Sequence, residues 1–213
     1  MIYIIFMAAG NSRRFGLNKL LYMLDGKPLY RHGLDCLLRA AENHRECEIL
    51  VVSQYDEILN TVTAMGEEGR QVPLKALYSP ESVQGASFTI KNALQYLQQT
   101  ASVSAEDYLM FMTADQPYIS EETIIRILSC TEEMKKGQFE TASVYCGDIP
   151  GNPTLFSAGL IPELMELSGD QGGRRVIRKH SCLAVPIEDG RELKDIDVPE
   201  DLEKAESIYR NSK

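Results

Sequence analysis

Ile2-Tyr3-Ile4-Ile5-Phe6-Met7 is an apolar, β-branched and aromatic run that passes without a break into Ala8-Ala9-Gly10-Asn11-Ser12. Such a run marks a strand buried on both faces, as in a parallel sheet covered by helices on each side. The small and polar stretch that follows, as far as Asn18, is then a loop at the C-terminal end of that strand. Pro28 opens a helical pattern in which Leu29, Leu34, Leu37, Leu38 and Ala41 recur at helix spacing, and Ile49 to Val52 repeats the buried-strand signature. That is one strand-loop-helix-strand unit.

The alternation continues along the chain. The pattern predicts helices over 57–65 and 86–97, a single helix over 121–134, and strands over 74–78, 108–113, 141–146 and 154–156. Beyond Gly147 it weakens to two short helical patterns, 160–167 and 172–180, a strand over 183–187, and a last helix opening at Pro199 with Glu200 and Asp201 in its first turn. No Ser-, Gly- or Pro-rich tract, repeat or low-complexity stretch divides residues 1–213, so a single domain is expected. Buried strands alternating with helices predict an α/β sandwich on a mostly parallel sheet, with ligands beyond the strand C-terminal ends.

Composition narrows the function. Lys and Arg number 22 against 31 Asp and Glu, a net charge of −9, which disfavours a protein that works by neutralising a nucleic-acid backbone. The run at residues 1–9 is too short to span a bilayer and follows no positive segment, so it is expected to be neither membrane anchor nor secretory signal. The five cysteines are odd in number and form no CxxC, which points to a reducing cytoplasm and to thiols that fill space.

The loop 8–19 carries the strongest chemical signal. Small residues let the backbone approach a ligand, and N–H groups in a glycine-rich turn favour anions. Arg13, Arg14 and Lys19 all precede the first acidic residue, Asp25, an asymmetry that suits a polyphosphate. Five residues separate Gly10 from Gly16, Lys19 lies three past Gly16 and no Ser or Thr follows it, so this is neither a P-loop nor a GxGxxG turn.

Three further segments are candidates. The strand ending Met112-Thr113-Ala114-Asp115-Gln116-Pro117 offers a carboxylate for Mg²⁺, which needs only one or two protein carboxylates beside phosphate oxygens; an Asx-turn would use Asp115 equally well. Asp195-Ile196-Asp197 places two carboxylates on one side of an extended segment, a second half for a metal site or acids at a helix start. Gly85-Ala86-Ser87 opens a helix, where small hydroxyl residues bind a base or phosphate or cap the helix. Arg174 and Arg178 share a helix face open to anion or solvent, and the histidines show no triad or metal spacing.

Taken in order, AAGNSRRFGLNK (8–19), GASFTIKNAL (85–94), TADQP (113–117), GNPTLF (151–156), GDQGGR (169–174) and DIDVPEDL (195–202) resemble the MobA-like nucleotidyltransferases, most closely their molybdenum cofactor cytidylyltransferase branch. The resemblance covers nearly the whole chain. It implies a Rossmann-like three-layer α/β/α sandwich of the nucleotide-diphospho-sugar transferase type. It implies transfer of CMP from CTP to a phosphate-bearing acceptor, the molybdopterin-bound molybdenum cofactor, releasing pyrophosphate with Mg²⁺, and a molybdenum hydroxylase to receive the product. By position, Ala8, Ala9, Gly10, Ser12, Arg14 and Lys19, with Gly85 and Ser87, would hold the nucleotide, while Asp115 and Asp197 would hold Mg²⁺ and Arg14, Lys19 and Asp115 would carry the catalysis. Ala9 stands where guanylyl-transferring members have a second Gly, which favours a pyrimidine.

Some positions depart from the pattern. Val198 replaces the Thr usual before Pro199, so this helix start must be satisfied by another group. Ala114, Asn152, Thr89 and Lys91 also differ, several of them where the acceptor is expected. The competing readings are the same chemistry with GTP or on a sugar or polyol phosphate, and a non-catalytic relative that only binds nucleotide or cofactor.

Overall fold

The computed structural model describes residues 1–12, 15, 16, 18–42, 44 and 46–211, with side chains as far as residue 205. Its centre is a seven-stranded sheet in the order β5-β4-β1-β6-β8-β7-β9, built from β1 (Ile2–Met7), β4 (Cys47–Ser53), β5 (Leu74–Tyr78), β6 (Tyr108–Thr113), β7 (Thr141–Cys146), β8 (Ile149–Ser157) and β9 (Cys182–Pro186). Strands β2 (Met23–Leu24) and β3 (Lys27–Pro28) form a separate short hairpin. Only β8 runs against its neighbours; β5, β4, β1 and β6 are mutually parallel, and β7 and β9 pair in parallel.

The period of two in β1 explains why the whole strand is apolar. Ile2, Ile4 and Phe6 face a core shared with helices α1 (Leu29–Glu42), α2 (Asp56–Glu67), α4 (Glu121–Leu128) and α5 (Thr131–Gly137). Tyr3 and Ile5 face the opposite core, made with α3 (Ala86–Thr100), α6 (Ile161–Met165) and α7 (Arg174–Ile177). The result is the three-layer sandwich expected, with helices on both faces of a mostly parallel sheet. A third cluster, Leu24, Leu29, Ile196, Leu202 and Ala205, fastens the small hairpin to α8 (Pro199–Asn211).

Several boundaries differ from the sequence pattern, each for a local reason. The expected helix 121–134 is two helices, because the Ser129 hydroxyl and the Ser129 N–H both take the Ile125 carbonyl and the chain turns there. Pro28 ends the short hairpin rather than opening α1, which starts at Leu29. The strand expected at 154–156 is the inner part of β8, a longer strand folded back on β7, and the last strand lies one residue earlier than expected. At α8 the missing hydroxyl cap is replaced by Asp201, whose Oδ2 accepts the N–H groups of Asp197 at 3.0 Å and Val198 at 3.1 Å.

All five cysteines are free thiols. Among the described residues no helix is long and apolar enough to cross a membrane.

Candidate functional site

The strand order reverses direction at β1, with β4 on one side and β6 on the other, and a crevice opens where the chain leaves these strands. Residues 8–12 continue from β1 and Ala114-Asp115 from β6, and the pairing of Met7 with Thr113 brings the two segments side by side. A cleft of about 230 Å³ lies between them, walled by Ala9, Gly10, Lys19, Gly85, Asp115 and Asp170 among others.

The loop after β1 is locked from the β4 side. Ser53 Oγ donates to the Ala8 carbonyl at 2.8 Å, Gln54 Nε2 to that of Ala9 at 2.7 Å and Tyr55 OH to that of Gly10 at 2.7 Å. Burial lifts the Tyr55 phenol above its ordinary value, which keeps it a neutral donor. Three successive carbonyls are thus held by three successive side chains, so a bound phosphate would not have to order the loop. The side-chain amide of Asn11 reaches across to the Val83 carbonyl at 2.8 Å and ties the loop to the far wall.

Lys19 is the electrostatic centre. Its N–H donates to Ser12 Oγ at 3.1 Å, and its side chain, only 8% exposed, places Nζ 2.8 Å from Asp115 Oδ2 and 3.1 Å from Asp197 Oδ1. Burial alone would depress the ammonium; the Asp115 carboxylate and then Asp197 outweigh it and hold Lys19 above its ordinary value. Asp195 is exposed at its surface, yet its carboxyl crowds the same group. Loss of hydration first, and then the negative charge of Asp115, push it up to about 6.

Charge adds to that loss of hydration. One buried ammonium meets two carboxylates, with Asp195 beside them, and a further cation would relieve the excess negative charge. Asp115 Oδ1 is buried with no hydrogen-bond partner among the described residues, an expensive state for a carboxylate oxygen. Also among the described residues, no three His, Cys, Asp or Glu side chains converge as a ready-made metal site. The arrangement therefore suits a hard divalent cation that takes one or two carboxylate oxygens and completes its shell from water and phosphate.

The opposite wall turns on Gly85. Its backbone has φ 132° and ψ 171°, and a methyl group there would overlap the Gly169 carbonyl and lie 2.7 Å from Asp170 Oδ1. The Ser87 N–H donates to that same carbonyl at 3.1 Å, so residues 169–170 close over the start of α3.

The residues singled out from the sequence are therefore distributed as follows. Ala9, Gly10, Lys19, Gly85 and Asp115 line the cleft, and Asp197 meets them through Lys19. Ala8 is fully buried beneath the loop, and Ser12 shapes it, accepting the Lys19 N–H through its hydroxyl and the Phe15 N–H through its carbonyl. Ser87 is also fully buried and does not line the cleft. Arg14 lies outside the described residues. Arg174 donates to the Pro150 carbonyl at 2.7 Å, within the β7–β8 hairpin. Thr89, expected where the acceptor lies, also lines the cleft. Sequence reasoning gave no role to Gln54, Tyr55 or Asp170; the rule that ligands sit beyond strand C-terminal ends points to the first two, which follow β4.

A family model described as the MobA-like NTP transferase domain matches residues 4–184. The chain belongs to this family of nucleotidyltransferases. Among its relatives is the purine catabolism protein PucB of Bacillus subtilis, 27% identical over 202 residues that cover 93% of each chain. The fold of the MobA-like family recurs in the manganese complex of Rv0371c from Mycobacterium tuberculosis, at TM-score 0.68 and 20% identity over 97% of this chain and 98% of that one. It recurs in the molybdopterin-guanine dinucleotide biosynthesis protein A of Archaeoglobus fulgidus, at TM-score 0.67 and 17% identity over 98% and 99% of the two chains. At these identities the likeness concerns the fold.

Proposed function

We propose that residues 1–213 form one nucleotidyltransferase domain that moves CMP from CTP to the phosphate of molybdopterin-bound molybdenum cofactor, releasing pyrophosphate with Mg²⁺. The observation that carries the reading is the Lys19 ammonium held between Asp115 and Asp197 at the mouth of β1 and β6. The order of the motifs, and the likeness in fold to the molybdopterin-guanine dinucleotide biosynthesis protein A of Archaeoglobus fulgidus, support the molybdopterin class of acceptor. A cytoplasmic setting and a molybdenum hydroxylase that receives the product complete the reading.

In the reaction an acceptor phosphate oxygen forms a bond to the α-phosphorus while the bond from that phosphorus to the bridging oxygen breaks, and pyrophosphate carries the electron pair away. Charge therefore grows on the leaving group, and catalysis is chiefly positioning and neutralisation. The locked loop 8–11 would hold the nucleotide, and Lys19 would pair with the outer phosphates. Mg²⁺, held by oxygens of Asp115 and Asp197, would supply the remaining positive charge. No side-chain nucleophile is required.

Base choice rests on Ala9, whose methyl narrows the wall where a second glycine would leave room for a purine. A group of this size is worth about 1–3 kcal/mol of discrimination. Thermal unfolding with CTP, GTP, UTP and ATP, each with and without Mg²⁺, tests the assignment. The largest rise in midpoint is expected with CTP and Mg²⁺ together, because ligand at 100 times its Kd stabilises by about 2.7 kcal/mol. A shift with GTP alone would move the chain to guanylyl transfer.

A further inference from the structure

Lys19 holds one oxygen of each of the two carboxylates assigned above to the metal, leaving Asp115 Oδ1 without a partner among the described residues. Its Nζ lies 2.8 Å from Asp115 Oδ2 and 3.1 Å from Asp197 Oδ1, so two of its three N–H donors are spent on the carboxylates that a divalent cation would use. Hard divalent ions of the Mg²⁺ class sit about 2.0–2.1 Å from such oxygens. Metal and ammonium on the same two carboxylates would be neighbouring cations beside a buried Asp115 oxygen, and each weakens the hold of the acids on the other. The two are set in competition.

We infer that Lys19 is a resident stand-in for the metal, weakening divalent-cation binding in the nucleotide-free cleft and yielding the carboxylates most readily when a triphosphate offers its ammonium new acceptors. The inference rests on the assignment of metal to Asp115 and Asp197. The anatomy permits the exchange: the Lys19 backbone is fixed through its N–H to Ser12 Oγ, while the four-carbon stem is free to carry Nζ from the carboxylates into the adjoining cleft. The consequence is strong positive coupling between metal and triphosphate, since each removes the competitor of the other. A metal ion alone meets a partly neutralised site, and a triphosphate alone must draw Lys19 away from two carboxylates left unpaired.

The test measures Mn²⁺ binding by electron paramagnetic resonance on the full chain, with and without the non-reactive analogue α,β-methylene-CTP. For the native protein the analogue is expected to tighten Mn²⁺ by at least about 10-fold. Lys19→Met, which keeps the stem and removes the charge, is expected to bind Mn²⁺ alone about 10-fold more tightly than the native protein and to lose most of the enhancement by nucleotide. Equal Mn²⁺ affinity of Lys19→Met and native protein, with Asp115→Asn still weakening Mn²⁺ in the nucleotide complex, would overturn the exchange and leave the metal assignment standing. No effect of Asp115→Asn on that complex would overturn the metal assignment and the exchange with it. A second measurement needs no variant: saturating Mn²⁺ without nucleotide is expected to speed acylation of Lys19 by an amine-selective reagent, followed by mass spectrometry. An unchanged rate with Mn²⁺ bound contradicts the exchange.

Discussion

Replacing Asp115 by Asn is expected to lower kcat by about a thousandfold, the scale on which loss of one group stabilising developing charge acts. The substitution is chosen because it isolates charge from shape. An Asn side chain keeps an oxygen where Asp115 Oδ2 now accepts the Lys19 ammonium, and Lys19 retains Asp197 at 3.1 Å, so the cleft stays assembled. Removing one of three neighbouring carboxylates also relieves Asp195, whose pKa is expected to fall back from about 6 toward the ordinary carboxylate range. Loss of the Lys19 pair and relief of Asp195 oppose each other, and stability should change by less than about 1 kcal/mol, or about 2–4 °C in Tm. Steady-state turnover and calorimetry on the same preparation check both halves. A fully active Asp115→Asn enzyme would remove Asp115 from the metal site, and an unfolded one would make its role structural.

Gly85→Ala acts through the backbone instead. At φ 132° and ψ 171° a Cβ is strained before any contact is made, and the methyl would also run into the Gly169 carbonyl, a backbone atom that cannot swing aside. The turn at 169–170 must then move, and with it go the Ser87 N–H bond to Gly169 and the placement of Asp170 in the cleft wall. A loss of about 3 kcal/mol is expected, equivalent to about 6–12 °C in Tm for a chain of this size. Triphosphate affinity should fall as well, because one wall of the cleft is displaced. Differential scanning calorimetry and a nucleotide titration at a temperature where the variant is folded measure the two effects. Native stability in Gly85→Ala would mean that residues 169–170 yield freely and do not shape the cleft.

How much of this was legible in the sequence follows from the range of the interactions involved. The run Ile2 to Met7 betrays its strand and the layers around it because burial on both faces is a local property of six residues, and the loop beyond it draws its importance from that position together with its small residues and cations. The break at Ser129 was less visible, since Ser is compatible with a helix and only its hydroxyl's preference for the Ile125 carbonyl ends the first one. The substitution at Val198 showed that a cap was needed but not which group supplied it; that was Asp201, three residues on.

The site was legible as parts and not as an arrangement. Lys19 and Asp115 each stood out, but they are 96 residues apart, and Lys19 and Asp197 are 178 apart. No spacing rule can show that one ammonium bridges both carboxylates, because that depends on the register that sets Met7 beside Thr113. The same holds for Gly85, whose place at a helix start was legible while the reason for a glycine there, the Gly169 carbonyl, comes from another part of the chain. Gln54 and Tyr55 carried no motif at all and are recognised only because their side chains hold the carbonyls of Ala9 and Gly10.

The most direct test of the central claim is pyrophosphate release by the purified chain supplied with Mg²⁺, the molybdopterin-bound molybdenum cofactor, and either CTP or GTP. The account predicts release that requires both acceptor and metal, runs faster with CTP, and leaves a cytidine dinucleotide of the cofactor as product. Release with a sugar or polyol phosphate in place of the pterin, or none with any nucleotide while CTP and Mg²⁺ still bind, would contradict it.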